Sequence, residues 1–243
     1  MRWLVSGDTH RADFHRFDAL DKNEKINVII LGDFGVNYML DNSDDDLKRA
    51  LARKYPQITW YAVRGNHEQR PEFVVGMELE YDGEVNGEVY WQPAFPHIRY
   101  FKDGGEYLIN GYHTLVVGGA YSVDKNYRLA CGRGWFDQEQ LSYQERTNIM
   151  ANSLGRTFDL VLAHTCPYQW QPFGLFLTGI DQSTVDNTME YWLQELVENI
   201  KFKRFAFGHF HDNRNMPNEK AVMLFRDIVD LDTLVERGLV NDR

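Results

Sequence analysis

Cysteine is scarce in this chain, with Cys131 and Cys166 alone among 243 residues. Two thiols cannot supply a disulfide framework at this size, so a stapled secreted scaffold is excluded and a buried apolar core is expected to carry the fold. Long apolar runs are missing too. The best, such as residues 28–31, have strand length, far below the roughly 20 residues that span a bilayer, and no membrane role is indicated. Positive charge is in deficit: 26 Lys and Arg stand against 36 Asp and Glu, a formal net charge of -10. That balance argues against coating nucleic acid by electrostatics alone, which needs a basic face to displace counterions. A nuclease is not excluded, because bound divalent cations would supply positive charge where a phosphate docks. Low-complexity linkers, internal repeats and abrupt composition breaks are lacking, so one domain over residues 1–243 is expected. With so little cysteine and a strand-like run at the amino terminus, the expected compartment is the cytoplasm.

What is present is alternation. Apolar runs trade places with helix-like segments, the pattern of a layered α/β protein. Strands are expected at 3–6, 28–31 and 58–63, with helices at 13–22 and 43–54 between them, so the opening half reads β-α-β-α-β. Ser43 with Asp46 marks a helix start, and Asp137 with Gln140 forms a similar capping box for a helix running to about Leu154. Thr184 is expected to cap the last long helix, whose Met189, Leu193, Leu196 and Ile200 share a face. Residues 160–163 and 205–207 read as further strands. Between Pro71 and Gly119, short β-type runs at 88–91, 98–101, 107–109 and 114–117 are punctuated by Gly and Pro, and hairpins are expected there. The acidic cluster at 41–46 lacks the Gly and terminal Glu of a calcium loop and reads as a solvated helix start.

Seven residues of metal-ligand type, Asp8, His10, Asp33, Asn66, His164, His209 and His211, each follow a short strand-forming run. Side chains just past the carboxyl ends of neighbouring strands share the crevice where open α/β sheets bind ligands. In Asp8-Thr9-His10 and His209-Phe210-His211 the coordinating groups are two residues apart, so an extended chain projects both to one side. Two carboxylates, one amide oxygen and four imidazoles, with no thiolate, suit Mn, Fe, Zn or Ni better than Mg or Ca. Seven ligands are too many for one ion. Sharing one carboxylate gives each of two ions about four ligands at a separation of roughly 3.5–4 Å, the spacing of two-metal hydrolytic sites. A single Asp-x-His arises by chance in many chains, whereas the ordered set does not.

The order and content of these motifs resemble the calcineurin-like metallophosphoesterase superfamily over nearly the whole chain. The resemblance implies a four-layer α-β-β-α sandwich of two mixed β-sheets, with a dimetal site at the carboxyl ends of the strands. It implies that Asp8, His10, Asp33 and His211 bind one divalent transition-metal ion and Asp33, Asn66, His164 and His209 the other, Asp33 bridging. Manganese is the first expectation, with Fe, Zn or Ni as alternatives. A hydroxide held between the ions is the implied nucleophile for in-line displacement at phosphorus. By the same resemblance His67 is the general acid at the leaving group and Glu68 orients its imidazole. Arg64 would grip phosphate oxygens, as in the Arg-Gly-Asn-His-Glu motif of serine/threonine protein phosphatases.

The departures bear on the substrate. Those phosphatases continue the second motif into Val-Asp-Arg-Gly, but here Asp33 is followed by Phe34-Gly35-Val36-Asn37, so a second phosphate-gripping arginine is missing. Arg11 stands where their first motif has Gly, either approaching phosphate or capping a surface loop. The stretch 118–125, with Arg128 and Trp135-Phe136, resembles a segment of small bacterial and phage members. There Lys125, Arg128 and Arg133 could lend positive charge and Tyr121 a stacking face to the pocket, against the plainer reading of a strand-to-helix connection. Cys166 reads as a small core residue at a strand end, His15, His97 and His113 have no motif around them, and Trp91, Trp135, Trp170 and Trp192 read as packing residues. The expected activity is a phosphodiesterase acting on a nucleotide, nucleic acid or small phosphodiester. A phosphomonoesterase or protein phosphatase and a nonenzymatic metal-binding scaffold are the alternatives.

Overall fold

The computed structural model describes residues 1–132 and 134–239, so Arg133 lies outside the described residues. Nearly every position of β1 (Arg2–Ser6), β2 (Ile26–Ile30) and β3 (Ile58–Ala62) is buried and most are apolar, the mark of strands covered on both faces. They pair in parallel, Leu4 opposite Val28 and Val28 opposite Trp60, and β3 continues in parallel to β6 (Ile98–Phe101). The antiparallel strands β5 (Gly87–Trp91) and β4 (Glu78–Asp82) extend one edge, while β13 (Ile228–Asp230) closes the other. The first sheet therefore runs β13-β1-β2-β3-β6-β5-β4.

A second sheet is built from β7 (Glu106–Ile109), β8 (Tyr112–Val117), β9 (Thr157–Ala163), β10 (Lys201–Phe207), β11 (Arg214–Met216) and β12 (Ala221–Met223) in the order β11-β12-β10-β9-β8-β7. Its middle strands β8, β9, β10 and β12 are parallel and both edges antiparallel. Because side chains alternate across a strand, each sheet feeds two cores. Ile29, Tyr61, Leu160, Leu162 and Ala206 pack between the sheets. Val28, Ile30 and Trp60 face outward beneath α1 (Asn42–Lys54), and Val161, Phe205 and Phe207 face outward beneath α3 (Tyr143–Ser153) and α4 (Thr188–Asn199). The result is an α-β-β-α sandwich. Trp60 anchors the outer core, its ring within 5.0–5.9 Å of those of Phe14, Phe17, Phe34 and Tyr55; truncation to alanine would cost about 3–5 kcal/mol. No described helix is long and apolar enough to cross a membrane.

Three helix expectations are corrected. The helix expected at 13–22 is a single 3-10 turn, His15–Phe17, among other turns. Phe14 and Phe17, three residues apart, both drop into the Trp60 cluster, and Arg16 reaches back to the carbonyls of Gly7 and Asp8, so the chain bends against the sheet. The capping box of α3 is Ser142 with Glu145, not Asp137 with Gln140. Helix α4 starts after Asn187, and Thr184 ends a 3-10 turn, Gln182–Thr184. Two short helices, α2 (Lys125–Ala130) and α5 (Leu231–Arg237), complete the set.

Candidate metal centre

Every ligand-type side chain stands just past the carboxyl end of a parallel strand: Asp8 and His10 after β1, Asp33 after β2, Asn66 after β3, His164 after β9, His209 and His211 after β10. The two sheets deliver these loops to one crevice. The loops are tightly wound. His10, Asp33, His209 and His211 have φ of 46°, 47°, 69° and 55°, and non-glycine residues enter that region at a cost of about 1–3 kcal/mol each, the kind of strain held at functional sites. Two glycines make room for the carboxylates: a Cβ at Gly65 would fall on the Asp33 carboxylate, and one at Gly208 on that of Asp8. Aromatic rings brace the loops, with Phe34 buried beside Trp60 and Tyr100, and Phe225 stacked 4.7 Å from His211.

The ligand atoms converge. His10 and His211 bring their Nε2 atoms to 2.8 Å of each other, and Asp8 Oδ2 lies 3.6 Å from the first and 3.3 Å from the second. Asp33 turns one oxygen each way, Oδ2 lying 3.7 Å from His10 Nε2 and Oδ1 3.6 Å from His164 Nε2. His164 Nε2 is 2.8 Å from Asn66 Oδ1, its Nδ1 is 2.8 Å from the Leu31 carbonyl, and the His209 ring lies 5.0 Å from its own. The Asn66 amide donates to Ser122 Oγ at 2.8 Å, which turns its oxygen toward His164.

Charge is the strongest sign that cations belong here. Asp8 and Asp33 are at most 1 % exposed, and Asp8 Oδ2 has no hydrogen-bond partner. Burial would raise both carboxyls, yet histidine neighbours hold both well below the ordinary range, Asp8 through His10 and His211, Asp33 through His164 and His67. Burial opposes charge on His10 and His164 as well, but the carboxylates outweigh it and raise each to about 9. Burial and the neighbouring His164 push His209 down to about 3. Buried anions crowded by imidazole nitrogens, one carboxylate oxygen left unpaired, fit divalent cations.

His67 sits at the lip of this cluster, its ring 5.2 Å from that of His10 and its backbone N–H donating to Asp33 Oδ1 at 2.8 Å. Arg128 donates to its Nδ1 at 3.4 Å and to Ser122 Oγ at 2.6 Å, while Asp124 Oδ1 lies 3.9 Å from its Nε2. Burial and the Arg128 charge lower the imidazole below its ordinary value against the pull of Asp33. Two expectations are corrected here. The Glu68 carboxylate turns from the His67 imidazole to other partners: it accepts from Gly65 N, Gly35 N and the Tyr100 hydroxyl, tying two ligand loops to the core, and burial and Asp33 raise it to about 7. Arg64, 1 % exposed, points away from the crevice to Asp103 Oδ2 at 2.8 Å and the Glu139 carbonyl at 2.7 Å. Arg11 likewise turns to Asp44 and the Gly35 carbonyl.

A cavity of about 400 Å³ opens beside the centre, lined on one side by His10, Asp33, Asn66, His67, His209 and His211. Tyr121 and Asp124 also line it, whereas Lys125 lies over the Trp135 ring. Ser122 and Asp124 had no role assigned from sequence and Arg128 was expected only to lend positive charge to the pocket, although all three follow β8, a parallel strand whose carboxyl end opens on the same crevice. Glu190 and Gln171, both buried cavity-lining residues, had no motif to mark them.

This fold and site define a metal-dependent phosphoester hydrolase class. The family model for calcineurin-like phosphoesterase matches residues 1–213, and the chain belongs to that family of hydrolases acting on phosphoric esters. A search of curated proteins finds no match to the chain. The match ends before β11, β12, β13 and α5, yet the loop after β12 supports the first ligand loop: Gly7 N and Arg16 both bond the Phe225 carbonyl, at 3.1 and 2.6 Å.

Proposed function

We propose that this protein is a phosphodiesterase whose centre holds two divalent cations, Mn foremost, with Fe, Zn or Ni as alternatives. Asp8, His10, Asp33 and His211 hold one and Asp33, Asn66, His164 and His209 the other, Asp33 offering one oxygen to each. Bound there, such ions supply Lewis acidity toward the phosphoryl oxygens and lower the pKa of water. The chain adds a proton donor. Arg128 can only donate, so in the neutral ring His67 Nδ1 accepts and the proton sits on Nε2, on the side of the cavity and Asp124; to act as acid the ring must take up a second proton, an imidazolium that Asp33 and Asp124 favour and Arg128 opposes. His67 is the proposed general acid, with Ser122 and Arg128 as positioning residues and Glu68 and Arg64 as braces of the ligand loops.

The observation that carries the diester preference is the cavity wall. None of the described residues lining it is Lys or Arg, and the arginines expected to clamp phosphate face elsewhere. A monoester dianion gains most from such a clamp, whereas a diester carries one charge and a second organic group. The Mn-loaded protein is therefore expected to hydrolyse bis(p-nitrophenyl) phosphate with a kcat/KM roughly tenfold or more above that for p-nitrophenyl phosphate, about 1.4 kcal/mol of transition-state preference. A monoester preference overturns the reading.

A further inference from the structure

We propose that residues 172–185 form a subsite for an uncharged aryl or hydrocarbon substituent of the diester, an inference resting on the phosphodiesterase reading. This segment lies between β9 and α4 and folds as short turns, among them Phe173–Leu175 and Gln182–Thr184. Its Leu175, Phe176, Leu177, Ile180 and Val185 line the cavity, joined by Phe210. His10, Asn66 and His67 line the same cavity, so a diester at the metal centre has its ester groups in one cavity with the apolar residues.

Three observations support that occupant. Leu175 and Leu177 are 42 % and 62 % exposed beside a polar centre, the kind of apolar surface that marks a binding site. Phe176 stacks on Phe210 with centroids 6.3 Å apart and planes at 14°, and Phe210 lies between His209 and His211, so the apolar wall is continuous with the metal loop. Apart from the metal-centre residues and His67, the charged described lining residues are Asp124 and Glu190, and neither pairs with a second phosphate or a carboxylate. A sugar or glycerol substituent set against Leu175, Phe176 and Leu177 would leave its hydroxyls without partners on those side chains at a desolvation cost, the amides of Gln171, Gln182 and Asn187 lying elsewhere in the lining.

The test uses the full Mn-loaded chain and p-nitrophenyl phosphodiesters with methyl, glyceryl or phenyl as the retained group. In each, the P–O bond to p-nitrophenolate breaks as one forms to a water oxygen, leaving a methyl, glyceryl or phenyl phosphate, so the departing group is constant. Phenyl is expected to exceed methyl in kcat/KM by about tenfold or more, given what small apolar groups contribute in pockets, and glyceryl not to exceed methyl. Leu177→Ser and, separately, Leu175→Ser are expected to bring the phenyl-to-methyl ratio of kcat/KM most of the way back to one; both side chains are exposed enough for the fold to tolerate the change. Equal phenyl and methyl rates, or a phenyl advantage retained in both variants, overturns the subsite and leaves the diesterase reading standing. Hydrolysis of p-nitrophenyl phosphate with none of the diesters overturns both.

Discussion

His67 carries the clearest consequence at the residue scale. With its proton on Nε2 facing the cavity, His67→Ala should lower turnover of alkyl esters, whose leaving oxygens need protonation, by roughly 10²–10⁴ while nitrophenyl esters lose far less. Equal losses on both would indicate phosphate binding instead. Glu190 offers a second test. Burial lifts its carboxyl to about 7, and Thr165 partly opposes the shift. Between the ordinary glutamate pKa and about 7 the folded protein keeps a proton that the unfolded chain has released, so stability from this group declines as pH rises through that window. Glu190→Gln should therefore raise Tm at pH 8 relative to wild type and change it little at pH 4.5, each kcal/mol recovered giving roughly 2–4 °C. Parallel Tm profiles would contradict the burial argument. The seven ligand-type residues were legible in the sequence because each is announced by a strand run and most by a glycine. The directions of Arg64 and Glu68 were not: flanking the Gly65 turn, one goes to Asp103 and the other under the loops to Tyr100, which neighbours in sequence do not reveal.

At the scale of elements, the central strands could be read because both faces are buried and the apolar runs are unbroken. The edges were harder. Strand β4 is exposed along most of its length, its Leu79 and Tyr81 alternating with acidic residues over only five positions, and β11, β12 and β13 are three residues each, too short for a period. Helix starts slipped because Asp137 with Gln140 and Ser142 with Glu145 share one spacing, and only the second has its reciprocal bonds. Ser142→Ala should accordingly cost about 1 kcal/mol, roughly 2–4 °C in Tm, with turnover unchanged, because α3 packs on the outer layer. A loss of activity without a loss of stability would show that α3 supports the site more directly than its packing implies.

For the whole molecule, the sandwich solves one problem: it brings loops from two sheets to a single crevice, where two buried carboxylates meet four imidazoles. Net acidity fits such a design, since the positive charge needed for phosphate comes from bound ions rather than a basic face. Asp33, turned toward His10 with one oxygen and His164 with the other, joins the halves. Titrating metal-free protein with Mn while counting bound ions and following hydrolysis of bis(p-nitrophenyl) phosphate tests this most directly. The account predicts two ions per chain, activity rising as the second binds, and loss of both properties in Asp33→Asn. Full activity with a single bound ion, or wild-type metal content and turnover in that variant, would contradict it.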